Sequence, residues 1–340
     1  MKFYSSWALL AVLLASAAQA WDYEGHRMVN QVALASLPAD FPAWAKTPAN
    51  AERIAFLAGE PDRWRNTRIE PLAQYNGMDH YIDLDLLPDA GISIATLTPF
   101  RYDFAAQFAA GRLAHPDKFP PINEAKNRDH TLEWPGFLPW AIEEYYAKIQ
   151  SAFSYLKALE ANGHPDEVEN ARANLVYMMG VMGHYVGDGA QPLHATIHHH
   201  GWIGDNPHHY SISTKIHGLI DGGFIAYARI KPEDLMPLVK PAEPLSVEDR
   251  DDGRNPVFVA TVDYLLESQR RVEPLYQMEQ QGKFALQGPP NPEGRAFIET
   301  QIVRGGEMLG SIWLTAWRHS APDRYLSANL LKRKSAENAP

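Results

Sequence analysis

Cysteine is absent from all 340 residues, so neither disulfide staples nor thiolate chemistry can contribute to fold or mechanism. Any metal site must draw on histidine, carboxylate and backbone ligands. An apolar run of transmembrane length is also missing, since the run over residues 7–15 is short for a bilayer. Positive charge is scarce. With 31 Lys and Arg against 41 Asp and Glu, the formal net charge is -10, which excludes the broad basic surface of a protein that holds nucleic acid through many phosphate contacts. A nuclease stays open, because bound cations can draw phosphate into a cleft on an acidic protein. Strand signals are few, and no internal repeat occurs.

What is present begins at the N-terminus. Lys2, the apolar run and Ala18-Gln19-Ala20 have the three-part order of a secretory signal peptide. Residues 1–20 are therefore expected to be removed, leaving a secreted or periplasmic protein that starts at Trp21. About 320 residues then remain, enough for one large core. The expected organisation is a single domain over residues 21–325 and a polar tail over 326–340, which holds Lys332-Arg333-Lys334-Ser335. Helical periodicity runs over 26–37, 140–162, 166–186, 257–278 and 296–317, so the fold class is mainly α. Val29, Val32, Ala33 and Leu37 form one apolar stripe, and Trp140, Ile142, Tyr146, Ile149, Phe153 and Leu156 another. Stripes at this spacing mark a core face. Pro and Gly cluster over 86–139 and 230–256, which reads as long loops.

Chemistry concentrates in residues 177–194, YMMGVMGHYVGDGAQPLH. His184 and Asp188 are four apart on an expected helix and share a face, a spacing that suits two ligands on one metal. Pro192 ends that helix near Gln191 and can swing His194 toward the same cavity. Downstream, His217 and Asp221 repeat the same spacing. One helical histidine is more often a hydrogen-bonded structural residue than a ligand. Two His-x3-Asp pairs so close together reverse those odds. Zinc accepts imidazole and carboxylate in such sets.

At these residues the chain resembles the S1/P1 nucleases, which share a fold with the zinc-dependent bacterial phospholipases C. The likeness rests on His184-Tyr185-Val186-Gly187-Asp188 followed by Gln191-Pro192-Leu193-His194, with Trp21, His26, Asp62 and His80 before it and His217 and Asp221 after it. It implies a single-domain helical fold of the phospholipase C/P1 nuclease type and three Zn2+ ions. The first ion would be held by Asp62, His80, His184 and Asp188, and the second by His194, His217 and Asp221. The third would take the α-amino nitrogen and carbonyl oxygen of Trp21 with His26, Asp188 bridging it to the first. Signal-peptide removal would then complete the site, because only a free amine can coordinate. The resemblance also gives Asp62 and Arg65 catalytic roles, with the Arg65 guanidinium neutralising phosphoryl charge.

For the substrate, the resemblance casts Tyr81 as a ring that stacks on a base, Asp83 as acceptor for the base edge and Asn206 as a loose match to a nucleotide-contacting loop. A core tyrosine and a turn-capping aspartate are the plain alternatives for the first two. Asp221, where phospholipases C of this fold tend to have Glu, leans toward the nuclease branch. The implied activity is hydrolysis of single-stranded RNA or DNA to 5′-nucleotides, with possible removal of 3′-phosphates, and stacking favours a base that is already exposed. No stable membrane association and no protein partner are expected. A phospholipase C acting on lipid headgroups and a non-catalytic secreted metal-binding protein remain rival readings. The chain lacks the cysteines of the fungal and plant nucleases, and residues 99–139 have no counterpart in the pattern. His198-His199-His200 and His208-His209 read as polar loop, outside the metal site.

Overall fold

Short polar side chains and prolines mark where the helices start in the computed structural model, which describes residues 21–119 and 121–337. The expected leader, residues 1–20, lies outside the described residues. Asp22 caps α1 (Tyr23–Ser36), accepting from the Gly25 amide at 3.3 Å. Thr47 caps α2 (Pro48–Leu57), which begins on proline, where a missing N–H costs nothing. The short α3 (Glu60–Arg65) follows, then α4 (Arg101–Ala114), α5 (Leu138–Asn162) and α6 (Pro165–Ala190). In α6, Glu167 reaches back to the His164 amide at 2.8 Å. Asn255 and Asn291 each accept two amides at the starts of α7 (Pro256–Gln269) and α9 (Pro292–Arg318). Between these lies α8 (Val272–Gln280), and α10 (Arg324–Glu337) closes the described chain. The remaining elements are an eight-residue helix, Glu70–Gly77, and short helical turns, and no strand occurs among the described residues.

Helix α6 is the axis of the molecule and touches α1, α2, α5, α7 and α9. Its C-terminal half, residues 179–190, is buried on every side, as befits a helix surrounded by other helices. Both apolar stripes read from the sequence face this core. Each large side chain so buried contributes about 1.5–3 kcal/mol relative to exposure. Asn30 of α1 donates to the Ile54 and Gly180 carbonyls at 2.7 and 3.0 Å. A Cβ at Gly183 would stand 1.5 Å from Asn30 Oδ1, so only glycine lets α1 seat this closely on α6. That approach carries His26 to the side of His184.

Three segments differ from the sequence expectation. The helix expected over 257–278 breaks after Gln269, where the Arg271 amide turns onto the Ser268 carbonyl at 2.9 Å; the turn lets Leu275 and Tyr276 face the core. The stretch 86–139 contains α4, whose Phe104 and Phe108 are fully buried at helical spacing. The expected polar tail forms most of α10, packed on α5 with Leu330 buried and Arg333 paired to Glu167. No described helix is long and apolar enough to cross a membrane.

Candidate metal centre

Seven elements deliver the ligands that the sequence singled out. His26 lies on α1, Asp62 on α3, and His184 with Asp188 on α6. His80 ends a 3-10 turn, Met78–His80, and His194 lies on another, Pro192–Ala195. Helix α6 stops at Ala190, before Pro192, because proline cannot continue the hydrogen-bond ladder. His217 sits in one α-turn, Ile216–Gly218, and Asp221 in the π-turn Leu219–Gly223 that follows. Such π-turns are frequent at functional sites. All eight of these side chains are buried.

Their donor atoms converge in three groups, His26/His184/Asp188, Asp62/His80/His184 and His194/His217/Asp221, each with ligand atoms within 4.8 Å of one another. Asp188 links the first two: its Oδ1 is 3.4 Å from His26 Nε2, and its Oδ2 is 3.0 Å from His80 Nδ1 and 3.3 Å from His184 Nε2. The His184 Nδ1 lies 2.7 Å from the Ala58 carbonyl, which can only accept, so Nδ1 carries the proton and Nε2 offers a lone pair inward. The same reasoning applies to His194, whose Nδ1 donates to the His80 carbonyl at 2.6 Å. Its Nε2 then faces His217 Nε2 at 3.1 Å, with Asp221 Oδ2 2.9 Å from the latter. Gln191 donates to Asp221 Oδ1 at 2.5 Å and fixes that carboxylate.

Several buried polar atoms in this cluster have no hydrogen-bond partner: both nitrogens of His26, Asp188 Oδ1, Asp221 Oδ2 and His80 Nε2. A buried polar group left unpaired costs about 1–3 kcal/mol. Cations among these lone pairs remove that cost, and the donor set of neutral imidazoles and carboxylates fits them. Three buried His/Asp groups can thus each hold a metal ion.

Burial, reinforced by the neighbouring His184, holds the His26 imidazole well below its ordinary pKa. Burial also depresses His80 well below, helped by the charge of Arg65, and takes His217 down to about 3. All three are therefore neutral ligands at pH 7. Asp188 suffers the same burial, yet His184, His194 and a hydrogen bond from His80 outweigh it and keep the carboxyl ionised, well below the usual range. Asp221 goes the other way, pushed well above by burial. Burial alone thus favours its neutral form, and a cation in place of the proton would be what ionises it.

The remaining predicted residues are Trp21, Arg65, Tyr81, Asp83 and Asn206. Trp21 is fully buried and donates from Nε1 to the Gly187 carbonyl at 2.8 Å, while the Asp22 amide bonds to the Asp221 carbonyl at 3.1 Å. The backbone at Trp21 is thereby pinned between the segments that carry Asp188 and Asp221. Arg65 Nε lies 3.0 Å from Asp62 Oδ1. Asp83 is buried with its Oδ1 unpartnered, and Tyr81 beside it is half-buried. Residues 135–138 brace this edge: the Asp83 amide bonds to the Pro135 carbonyl at 2.6 Å, and the Leu138 amide to the Tyr81 carbonyl at 3.1 Å. The proline-rich stretch that had no counterpart in the family pattern therefore positions the His80–Asp83 segment. Asn206 is occupied otherwise, since both polar ends of its side chain hold the Tyr210 backbone, at 2.7 and 2.8 Å.

Sequence reasoning passed over three contributors. Gln191 stood inside the quoted motif, but only the fold shows that it orients Asp221. His199 and His200 were set aside as loop, yet their rings lie 6.1 and 5.0 Å from that of His217, and His199 Nδ1 is 3.8 Å from Asp83 Oδ1. Consecutive histidines carried no periodic signal that could have placed them. His198 is structural, stacked on Trp202 at 4.0 Å. Comparison of the chain with family models, with curated proteins and with solved structures finds no match.

Proposed function

We propose that this chain is an exported zinc-dependent phosphoesterase of the S1/P1 nuclease type, hydrolysing single-stranded RNA or DNA to 5′-nucleotides and also removing 3′-phosphates. The observation that carries this reading is the sharing of His184 between two buried ligand groups, with Asp188 of one lying 3.0 Å from His80 of the other and Arg65 ion-paired at Asp62 on their edge. Asp62, His80, His184 and Asp188 would hold one ion; His194, His217 and Asp221 a second; His26 and Asp188, with the freed terminus of Trp21, a third. Mixed imidazole and carboxylate sets of this kind suit zinc. Bound zinc would lower the pKa of water and offset charge on the reacting phosphoryl group.

The protein's own side chains do the rest. Arg65 presents its guanidinium where phosphoryl charge grows, a contribution that is strong in a water-poor site. Gln191 holds Asp221 in its ligating orientation, and the Ala58 and His80 carbonyls fix the tautomers of His184 and His194. Tyr81 offers a ring to an unpaired base, worth about 1–3 kcal/mol of stacking. The buried, unpartnered Asp83 Oδ1 beside it supplies an acceptor for a base N–H. These two residues favour a nucleotide over a lipid headgroup.

The test is turnover by protein starting at Trp21, on single-stranded DNA, single-stranded RNA and phosphatidylcholine, with and without chelator. Chelator-sensitive cleavage of the nucleic acids is expected. Turnover of lipid alone would sink the nuclease reading, and no turnover on any phosphoester would favour a metal-binding protein without catalysis.

A further inference from the structure

Arg65 faces two ways. On one side it pairs with Asp62, and its charge is felt at His80, His217 and Asp221 of the metal centre. On the other it lines a separate cavity of about 580 Å³ together with Arg68, Lys126 and Arg128. The size lies within the range of small-ligand sites. The chain as a whole has a formal charge of -10, yet four cations meet only two carboxylates here, Glu70 and Asp129.

Those two carboxylates do not cancel the charge. Glu70 is engaged by Arg128, and Asp129 accepts from the Thr131 hydroxyl at 3.0 Å. Arg68 and Lys126 make no ion pair among the described residues. With Arg128 offset by Glu70 and Arg65 by Asp62, Arg68 and Lys126 face the one carboxylate of Asp129, so the cavity keeps an excess of positive charge beside the metal centre. An anion held by Arg68 and Lys126 would share a cavity with Arg65, whose guanidinium also meets Asp62 of the cluster.

We infer that the groove of Arg65, Arg68, Lys126 and Arg128 is a subsite for backbone phosphates of single-stranded nucleic acid flanking the bond to be cut. The inference rests on the nuclease reading and adds to it a preference for polymers over mononucleotides. A strand of successive phosphates can meet several cations of one cavity, and each neutralised phosphate releases counterions, so affinity falls with salt.

The experiment compares the unsubstituted protein, started at Trp21, with the double variant Arg68→Gln, Lys126→Gln. Both positions are exposed, so the substitutions leave the core alone. Binding of a fluorescein-labelled oligothymidylate is followed against NaCl. Loss of two phosphate contacts is expected to reduce the slope of log affinity against log salt by about 1.4, and to weaken binding about tenfold at low salt. The ratio of kcat/KM on the oligonucleotide to kcat/KM on bis(p-nitrophenyl) phosphate should fall by a similar factor.

An unchanged slope with an unchanged ratio overturns the subsite while leaving the nuclease reading intact. Failure of the unsubstituted protein to cut any oligonucleotide, with aryl phosphate still hydrolysed, overturns the nuclease reading instead. If the double variant loses binding to phosphatidylglycerol vesicles but holds the oligonucleotide as before, the groove is a lipid site and the inference fails.

Discussion

Asp188 stands where three imidazoles meet, with His26, His80 and His184 all within 3.4 Å of its two oxygens. In the proposed ligand sets its charge would serve two ions, one by direct ligation and one by bridging. Asp188→Asn keeps the shape and removes that charge. It should lower metal content by at least about tenfold in affinity and abolish phosphoester turnover, checked by elemental analysis beside a hydrolysis assay. Normal metal content with full activity would refute the bridging role. A pH prediction follows from the same residues in metal-free protein. Burial depresses His26, His80, His194 and His217, so below about pH 6.5 the unfolded chain takes up protons that the folded chain refuses. Stability is then lost as pH falls from about 6.5 toward His217's value of about 3. His184 and Asp221, both raised, oppose this trend but are outnumbered. The urea midpoint of chelated protein should drop between pH 7 and pH 5, and a rise would contradict this account.

At the scale of elements, the site depends on how closely α1 approaches α6. A Cβ at Gly187 would stand 2.9 Å from His26 Nδ1, whereas one at Gly183 would drive into Asn30. The two substitutions therefore separate site from scaffold. Gly183→Ala should cost about 3 kcal/mol through overpacking and displacement of the Asn30 amide, read from urea unfolding. Gly187→Ala, which crowds one imidazole, should instead lower metal stoichiometry with a smaller stability loss. If Gly187→Ala leaves metal binding intact, the His26 ring has room that the packing denies it.

Across the whole molecule, residues far apart in the chain close around one centre: Trp21 donates to Gly187, and the Asp22 amide bonds to Asp221. The N-terminal end of the described chain is thus held beside the metal ligands. A chain that begins at Trp21 should bind three equivalents of zinc, because its terminal amine can join His26. A chain that retains the preceding residues has an amide there and should bind two. Equal stoichiometry in both, measured on chelated and reloaded protein, would remove Trp21 from the ligand set.

Much of this was legible in the sequence because it is periodic. The stripes of α1 and α5 repeat at helical spacing, and His184/Asp188 share a face for the same reason, so local geometry alone determined them. Pro192 announced the end of α6 by its chemistry. The tertiary structure decided what has no period. It showed Gln191 on Asp221, Asn206 spent on the Tyr210 backbone, residues 135–138 bracing Tyr81, and His199 and His200 beside His217. Each of these joins segments whose meeting depends on the packed core, and no local rule of backbone or side-chain spacing encodes such a meeting.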